Sequence, residues 1–140
     1  MILLPLLVLA GCDKVDEKPV PNRWFKPSQV ALGQDVFRTH CEVCHGERGK
    51  GNQGWKQRLP DGSFPPPPLN GTGHTWHHRL SLLLRIIDDG GKLYSGKMPG
   101  FKGKLSKKEK IAVLAYVQSL WSPEVYSYWD KNLNGNEATR

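Results

Sequence analysis

Long hydrophobic runs are missing from this sequence. No apolar stretch approaches the roughly 18 residues that a membrane-crossing helix needs, and the longest, Ile2 to Ala10, is interrupted by Pro5. Cysteine is scarce. Three in 140 residues is an odd number, which excludes a framework of paired disulfides. Methionine is scarcer, with Met98 the only one after the first residue. No segment alternates apolar and polar residues as a half-buried strand would, and no internal repeat is present. Acidic residues lag behind basic ones, 13 against 20, for a net charge of +7. Such a balance suits nucleic acid, an anionic membrane or an acidic protein as partner.

What is present points to one folded domain. The length is close to the roughly 150 residues of a single domain. Hydrophobic residues at 38% and charged residues at 24% exclude disorder over the whole length. Five Trp give a small core a large apolar payload. Fifteen Gly and eleven Pro imply that much of the chain is loop.

Residues 1–11 have the length of the apolar core of a secretory signal. Leu9-Ala10-Gly11-Cys12 resembles the bacterial lipoprotein signal, although a positive leading segment is missing and the first Lys is Lys14. The resemblance implies that Cys12 is lipidated and becomes the new N-terminus, with Asp13 favouring retention at the inner membrane. Residues 12–27, with three Pro and mixed charges, read as a flexible tether. Residues 28–121 form the domain and 122–140 a tail.

Three helices are expected in the domain. The first starts at Pro27-Ser28 and runs to about His40, with Leu32/Val36 and Gly33/Phe37 as pairs on one face. A long Gly- and Pro-rich loop follows, with four consecutive prolines, Pro65 to Pro68. The second helix is expected over roughly Trp76 to Asp89, with Thr75 as its N-cap and Gly90 as the terminating glycine. The third runs from about Lys107 to Trp121, with Ser106 and Glu109 as a capping box and Ser122-Pro123 as the stop. The segment Glu124 to Trp129 is expected to pack back on the domain, with the last ten residues frayed. So few helices for so much loop require something large at the centre.

Cys41-Glu42-Val43-Cys44-His45 is a C-x-x-C-H motif. Two thiols three positions apart at a helix end reach the two vinyl groups on one edge of a haem, and the adjacent His can then ligate the iron. Three rivals are weaker. A redox C-x-x-C belongs near a βαβ pattern, a structural zinc site needs four ligands, and a disulfide would close a tight ring.

The first helix with Gly33 and Phe37, the C-x-x-C-H motif, the Pro-Leu segment, the Met-Pro loop and a last helix with Tyr116 together resemble a class I cytochrome c. The resemblance covers about two-thirds of the chain. It implies an all-α fold of three to four short helices and long loops wrapped around one covalent haem c. The first and last helices would cross near Gly33 and Tyr116. It implies His45 as proximal ligand, a carbonyl from Pro67 or Pro68 on the other imidazole nitrogen, and Leu69 pressing on the haem. Met98, in Gly96-Lys97-Met98-Pro99-Gly100-Phe101, is expected as the second axial ligand, with His40, His74, His77 and His78 as competitors. His74, His77 and His78 invite a metal reading of their own, but solvated histidines beside a packed Trp76 are the simpler account.

The expected function is that of a periplasmic single-electron carrier, tethered by lipid to the inner membrane, monomeric, and not an enzyme. Its outer-sphere transfer needs no acid, base or nucleophile. Met ligation raises the potential, which suits delivery to an acidic redox protein such as a terminal oxidase or cytochrome complex. An exported lipoprotein meets no nucleic acid. The alternatives are a haem subunit of a larger redox complex, with the tail from Glu124 as an interaction arm, and a haem enzyme or gas sensor with a labile sixth ligand. Seven lysines (Lys92, Lys97, Lys102, Lys104, Lys107, Lys108 and Lys110) bracket Met98. They are expected to surround the haem edge as a docking rim.

Overall fold

The computed structural model describes residues 17–134. The signal, Cys12 and the last six residues lie outside them. Among the described residues there are five α-helices: α1 (Pro27–His40), α2 (Glu42–His45), α3 (Leu80–Asp89), α4 (Lys107–Ser119) and α5 (Pro123–Trp129). The single β-contact among them is an isolated parallel bridge between Phe64 and Gly96. The described residues are all-α, as the resemblance to class I cytochromes c implies.

Helix α4 is the axis of the domain. Every residue from Ala112 to Gln118 is buried, which is the pattern of a helix enclosed on all sides rather than on one stripe. Helix α1 covers one of its sides. At their crossing a Cβ placed on Gly33 would lie 1.9 Å from the Ala112 carbonyl oxygen and 2.9 Å from the Tyr116 Cβ. No residue but glycine permits that approach. Phe37, one turn further along α1, packs its ring 5.2 Å from that of Tyr116. The core extends from this contact through Val36, Leu83, Ile87, Phe101, Leu105, Leu114 and Trp121.

The ends of α4 follow local rules. The Ser106 hydroxyl accepts the Glu109 N–H at 3.2 Å, and the Glu109 carboxylate accepts the Ser106 N–H at 2.8 Å. These bonds hold the Glu109 carboxyl below its usual range. The capping box therefore contributes above that range and is lost as pH falls through the folded-state value. Helix α5 has a simple N-cap without the reciprocal bond, with Ser122 accepting from the Val125 N–H at 3.3 Å and Pro123 in the first turn.

Three expectations change. The first concerns the helix expected from Trp76. It begins at Leu80, and Thr75–His77 is a separate 3-10 turn. Thr75 is not its N-cap: the buried hydroxyl points inward to the Pro68 carbonyl at 3.4 Å. His78 is extended, with φ −113° and ψ 137°, and breaks the helical path.

The second concerns the tether, which does not reach Pro27. Phe25 is buried, and Val20 and Trp24 pack on the core. Trp24 Nε1 donates to Gln118 Oε1 at 2.6 Å. Arg23 lies 3.8 Å over the Tyr126 ring and donates to the carbonyls of Gln118 and Trp121. Glu17 accepts the Ser28 N–H at 2.9 Å. The third concerns the tail. Glu124 to Trp129 does pack back, but as part of a helix, with Tyr126 and Trp129 buried.

Gly33→Ala is expected to destabilise the protein by at least the upper end of the ~1–3 kcal/mol usual for overpacking, because the obstacle is backbone. Ser106→Ala is expected to cost about 1 kcal/mol. Denaturant midpoints of the purified variants check both.

Candidate functional site

The C-x-x-C-H motif begins where α1 ends. The Cys41 N–H still bonds to the Phe37 carbonyl at 2.8 Å, and Cys41 then serves as N-cap of the one-turn α2. Cys44 and His45 lie in that turn, which Gly46 ends with φ +72°. The helical turn presents Cys41 and Cys44 one above the other. The two cysteines are free, Cys41 half-buried and Cys44 exposed. Burial, and secondarily the neighbouring Cys44, push the Cys41 thiol up to about 11.

His45 is buried. Its Nδ1 stands 3.0 Å from the Pro67 carbonyl oxygen. A carbonyl can only accept, so Nδ1 carries the proton and Nε2 keeps its lone pair. Burial lowers the affinity of His45 for a second proton, and the Pro67 carbonyl only partly offsets this. The residue is therefore a neutral imidazole at pH 7 with one nitrogen oriented and the other available, the form a metal requires. The same loop is fixed at closer range. The Gly51 N–H donates to the His45 carbonyl at 2.6 Å, and a Cβ on Gly51 would lie 2.2 Å from the Pro68 nitrogen.

Leu69 is partly buried against the core. Its N–H donates to the Gly49 carbonyl at 2.7 Å, and its own carbonyl accepts from Trp121 Nε1 at 2.8 Å. Met98 also packs partly buried against the core. The α3 helix ends at Gly90 with φ +83°, and the Gly91 N–H then bonds to the Met98 carbonyl at 3.0 Å. The Phe101 N–H bonds back to Ile87 at 2.8 Å. The Met98 loop is thus closed onto the end of α3.

The competing histidines make aromatic contacts of their own. His40 is exposed at the end of α1, with its ring 6.1 Å from that of Phe101. His74 stacks on Trp55 at 4.9 Å, His77 stacks on Trp76 at 3.7 Å, and His78 meets His74 edge-on at 5.3 Å. Among the described residues no group of three or more His, Cys, Asp or Glu side chains converges to hold a metal ion. That argues against the zinc reading of the motif and against a separate metal at the histidine cluster. With no strand among the described residues, the βαβ setting of a redox C-x-x-C is missing too.

The seven lysines divide. Lys92, Lys102, Lys104, Lys107 and Lys108 are exposed and take part in no ion pair among the described residues. Lys97 pairs with Asp61. Lys110, with a side chain only 14% exposed, is bonded to Asp88 at 2.5 Å and leaves the rim. Sequence reasoning missed the Trp24–Gln118 and Arg23–Tyr126 contacts. The adjacent aromatics Trp24-Phe25 inside a supposed tether were the available signal.

The family model described as "Cytochrome C oxidase, cbb3-type, subunit III" matches residues 28–117. The chain belongs to that family, and it is a class I cytochrome c. It carries haem c, bound covalently. Among curated proteins it is 30% identical over 101 residues to the cbb3-type cytochrome c oxidase subunit FixP of Bradyrhizobium diazoefficiens, covering 72% of this chain and 30% of that protein. It is 28% identical over 111 residues to a thiosulfate dehydrogenase of Stutzerimonas stutzeri, covering 77% of this chain and 32% of that protein. The chain thus spans about a third of the length of either relative. No solved structure matches it.

The donor set fits the cofactor: two unpaired thiols on one helical turn, and a neutral buried imidazole with its far nitrogen already oriented. Acid-acetone treatment of the purified cytochrome is expected to leave the haem on the polypeptide. Cys41→Ala or Cys44→Ala should lower holoprotein yield sharply, and a haem-stained denaturing gel reads both results.

Proposed function

We propose that this cytochrome c is a periplasmic single-electron carrier of a respiratory chain, with His45 and Met98 as axial ligands, and not itself an enzyme. The observation that carries the reading is His45, buried and neutral on the C-x-x-C-H motif with its Nδ1 bonded to the Pro67 carbonyl. Haem supplies a one-electron ferric–ferrous couple when bound. The protein's part is to hold the ligands, exclude water and orient a partner. His45 is fixed in one tautomer by Pro67, and that bond makes the imidazole a stronger donor. Met98, in a loop closed onto α3, offers a neutral thioether, which raises the potential.

The exposed Lys92, Lys102, Lys104, Lys107 and Lys108 form the docking rim for an acidic redox protein. Leu93, 84% exposed, and Tyr94, 53% exposed, lie within it. Lys107 and Lys108 stand in the first turn of α4, where a cation opposes the helix dipole at roughly 0.3–1 kcal/mol each. Their placement makes more sense for a partner's field than for stability. Attachment is through a lipid on Cys12, with nucleic acid excluded as a partner. Among the described residues no helix is long and apolar enough to cross a membrane.

A second reading makes the protein the haem module of a larger redox complex rather than a free monomer. The likeness to an oxidase subunit named FixP favours it. The segment 124–129 is not the arm such a reading would use, since Tyr126 and Trp129 are buried in their own domain. Gel filtration of the native protein in mild detergent separates the two: elution as a single chain without companion subunits supports the carrier.

Oxidised protein is expected to show the weak near-red sulfur-to-iron band, and Met98→Ala to abolish it and lower the potential. A band that survives that substitution overturns the Met98 assignment. The second-order rate of electron transfer to the partner is expected to fall steeply with salt, because complementary fields raise association rates by about 10 to 10³-fold. Lys102→Glu, Lys107→Glu and Lys108→Glu together should slow it further with the visible spectrum unchanged. Stopped-flow rates across ionic strength decide this. The native protein should fractionate with membranes, and Cys12→Ser should release it.

A further inference from the structure

The outer side of the Met98 loop is held by a segment far from it in sequence. The Phe64 N–H donates to the Ser95 carbonyl at 2.8 Å, and Phe64 and Gly96 form the isolated parallel bridge. Lys97, the residue before Met98, pairs with Asp61. These contacts all grip the residues immediately preceding Met98. Residues 92–95 are otherwise exposed.

The gripping segment is braced from within. Asp61 Oδ1 accepts the Ser63 N–H at 3.0 Å and the Ser63 hydroxyl at 2.6 Å. Arg58 bonds to the Gly62 carbonyl, and its guanidinium sits 4.3 Å over the Phe64 ring.

Phe64 is followed at once by Pro65, Pro66, Pro67 and Pro68. Each ring fixes φ, and a polyproline run is stiff over several residues. At about 3.1 Å per residue, Phe64 and Pro67 are the ends of a strut of about 9 Å. One end grips the Met98 segment. At the other, the Pro67 carbonyl accepts from His45 Nδ1 at 3.0 Å. Between them the Pro66 carbonyl accepts the Asn52 N–H at 3.0 Å. One short rigid segment therefore touches both sides of the site.

We propose that Asp61 and Phe64 are positioning residues for Met98, and that the Pro65–Pro68 strut fixes the spacing between the Met98 loop and the His45 ring. The inference rests on reading Met98 as the sixth ligand. A thioether is a neutral ligand, so the time it spends away from iron depends on how its loop is held. Release of the outer grip lets the loop open and admits small ligands. An exposed ion pair such as Asp61–Lys97 shifts an equilibrium by about two- to fivefold.

The test uses the intact holoprotein as wild type, Asp61→Asn, Lys97→Gln, the double variant of these two, and Pro65→Ala combined with Pro66→Ala. Carbon monoxide association with the reduced protein reports opening of the sixth position. The near-red band of the oxidised protein reports Met98 bound. Paramagnetically shifted ring protons report His45.

Asp61→Asn and Lys97→Gln are each expected to speed carbon monoxide association about two- to fivefold, with the double variant no faster than either. Added salt should do the same to wild type and little to Asp61→Asn. The proline variant should speed association and also move the His45 ring resonances.

A lowered melting point with carbon monoxide association unchanged would make the contacts merely structural and overturn the inference. Unmoved His45 resonances in the proline variant overturn its strut half. Lys97→Gln replaces an exposed side chain, so it keeps the test decisive should the proline variant fail to fold. A wild type without the near-red band overturns the Met98 assignment and this inference together. A wild type with the band and an indifferent association rate overturns this inference alone.

Discussion

With no side chain at Gly33, helix α1 closes on α4 until backbone meets backbone at Ala112. The position of the redox site follows from that approach. Helix α1 runs straight into Cys41, so its distance from α4 sets where the two thiols and His45 sit. Helix α4 in turn ends at Ser119, two residues before Trp121, whose indole holds the Leu69 carbonyl, and Leu69 closes the proline segment that orients His45. One glycine thus fixes the motif from one side and its supporting loop from the other. A bulkier residue would move both at once.

The chemistry was the most legible part of the sequence. C-x-x-C-H needs only local geometry, and a single helical turn delivers it. The capping box at Ser106 is local as well, so it could be read directly; Ser122-Pro123, expected as the stop of the last helix, instead starts α5, and α4 ends earlier, at Ser119. Thr75 shows where local reading ends. It looked like an N-cap because it precedes an apolar period, yet the Pro68 carbonyl seven residues earlier competed for its hydroxyl. The start of α3 moved to Leu80 as a result. Trp24 and Phe25 failed the same way: three prolines outweighed two aromatics whose partners, Gln118 and Tyr126, lie about a hundred residues away. Lys110 reads as a surface charge in the sequence because its partner, Asp88, lies on another helix. The pairing of His45 with Pro67 came from family resemblance. Nothing in the spacing alone selects that carbonyl.

The loops do work usually given to helices. Between Gly46 and Leu80 the chain has only two short 3-10 turns, yet it makes specific bonds to His45, to the Met98 segment and to α5, where Trp129 donates to the His78 carbonyl at 2.8 Å. Proline removes conformational freedom in advance, so such a loop loses less entropy on ordering than its length suggests. That is one way a small helical domain can surround a large planar group without adding secondary structure.

The docked N-terminal segment has a geometric consequence. Glu17 meets Ser28 at the start of α1, and Trp24 meets Gln118 near the end of α4. At 1.5 Å per residue, Gln118 lies about 16 Å along α4 from Lys107, and Pro27 about 20 Å along α1 from His40. The chain therefore enters the domain at one pole, while the thiols and the cationic lysines occupy the other. An attachment made through the N-terminal segment, such as the lipid proposed at Cys12, would therefore leave the thiols and the exposed lysines clear of it, as a lamp on a bracket shines away from its fixture.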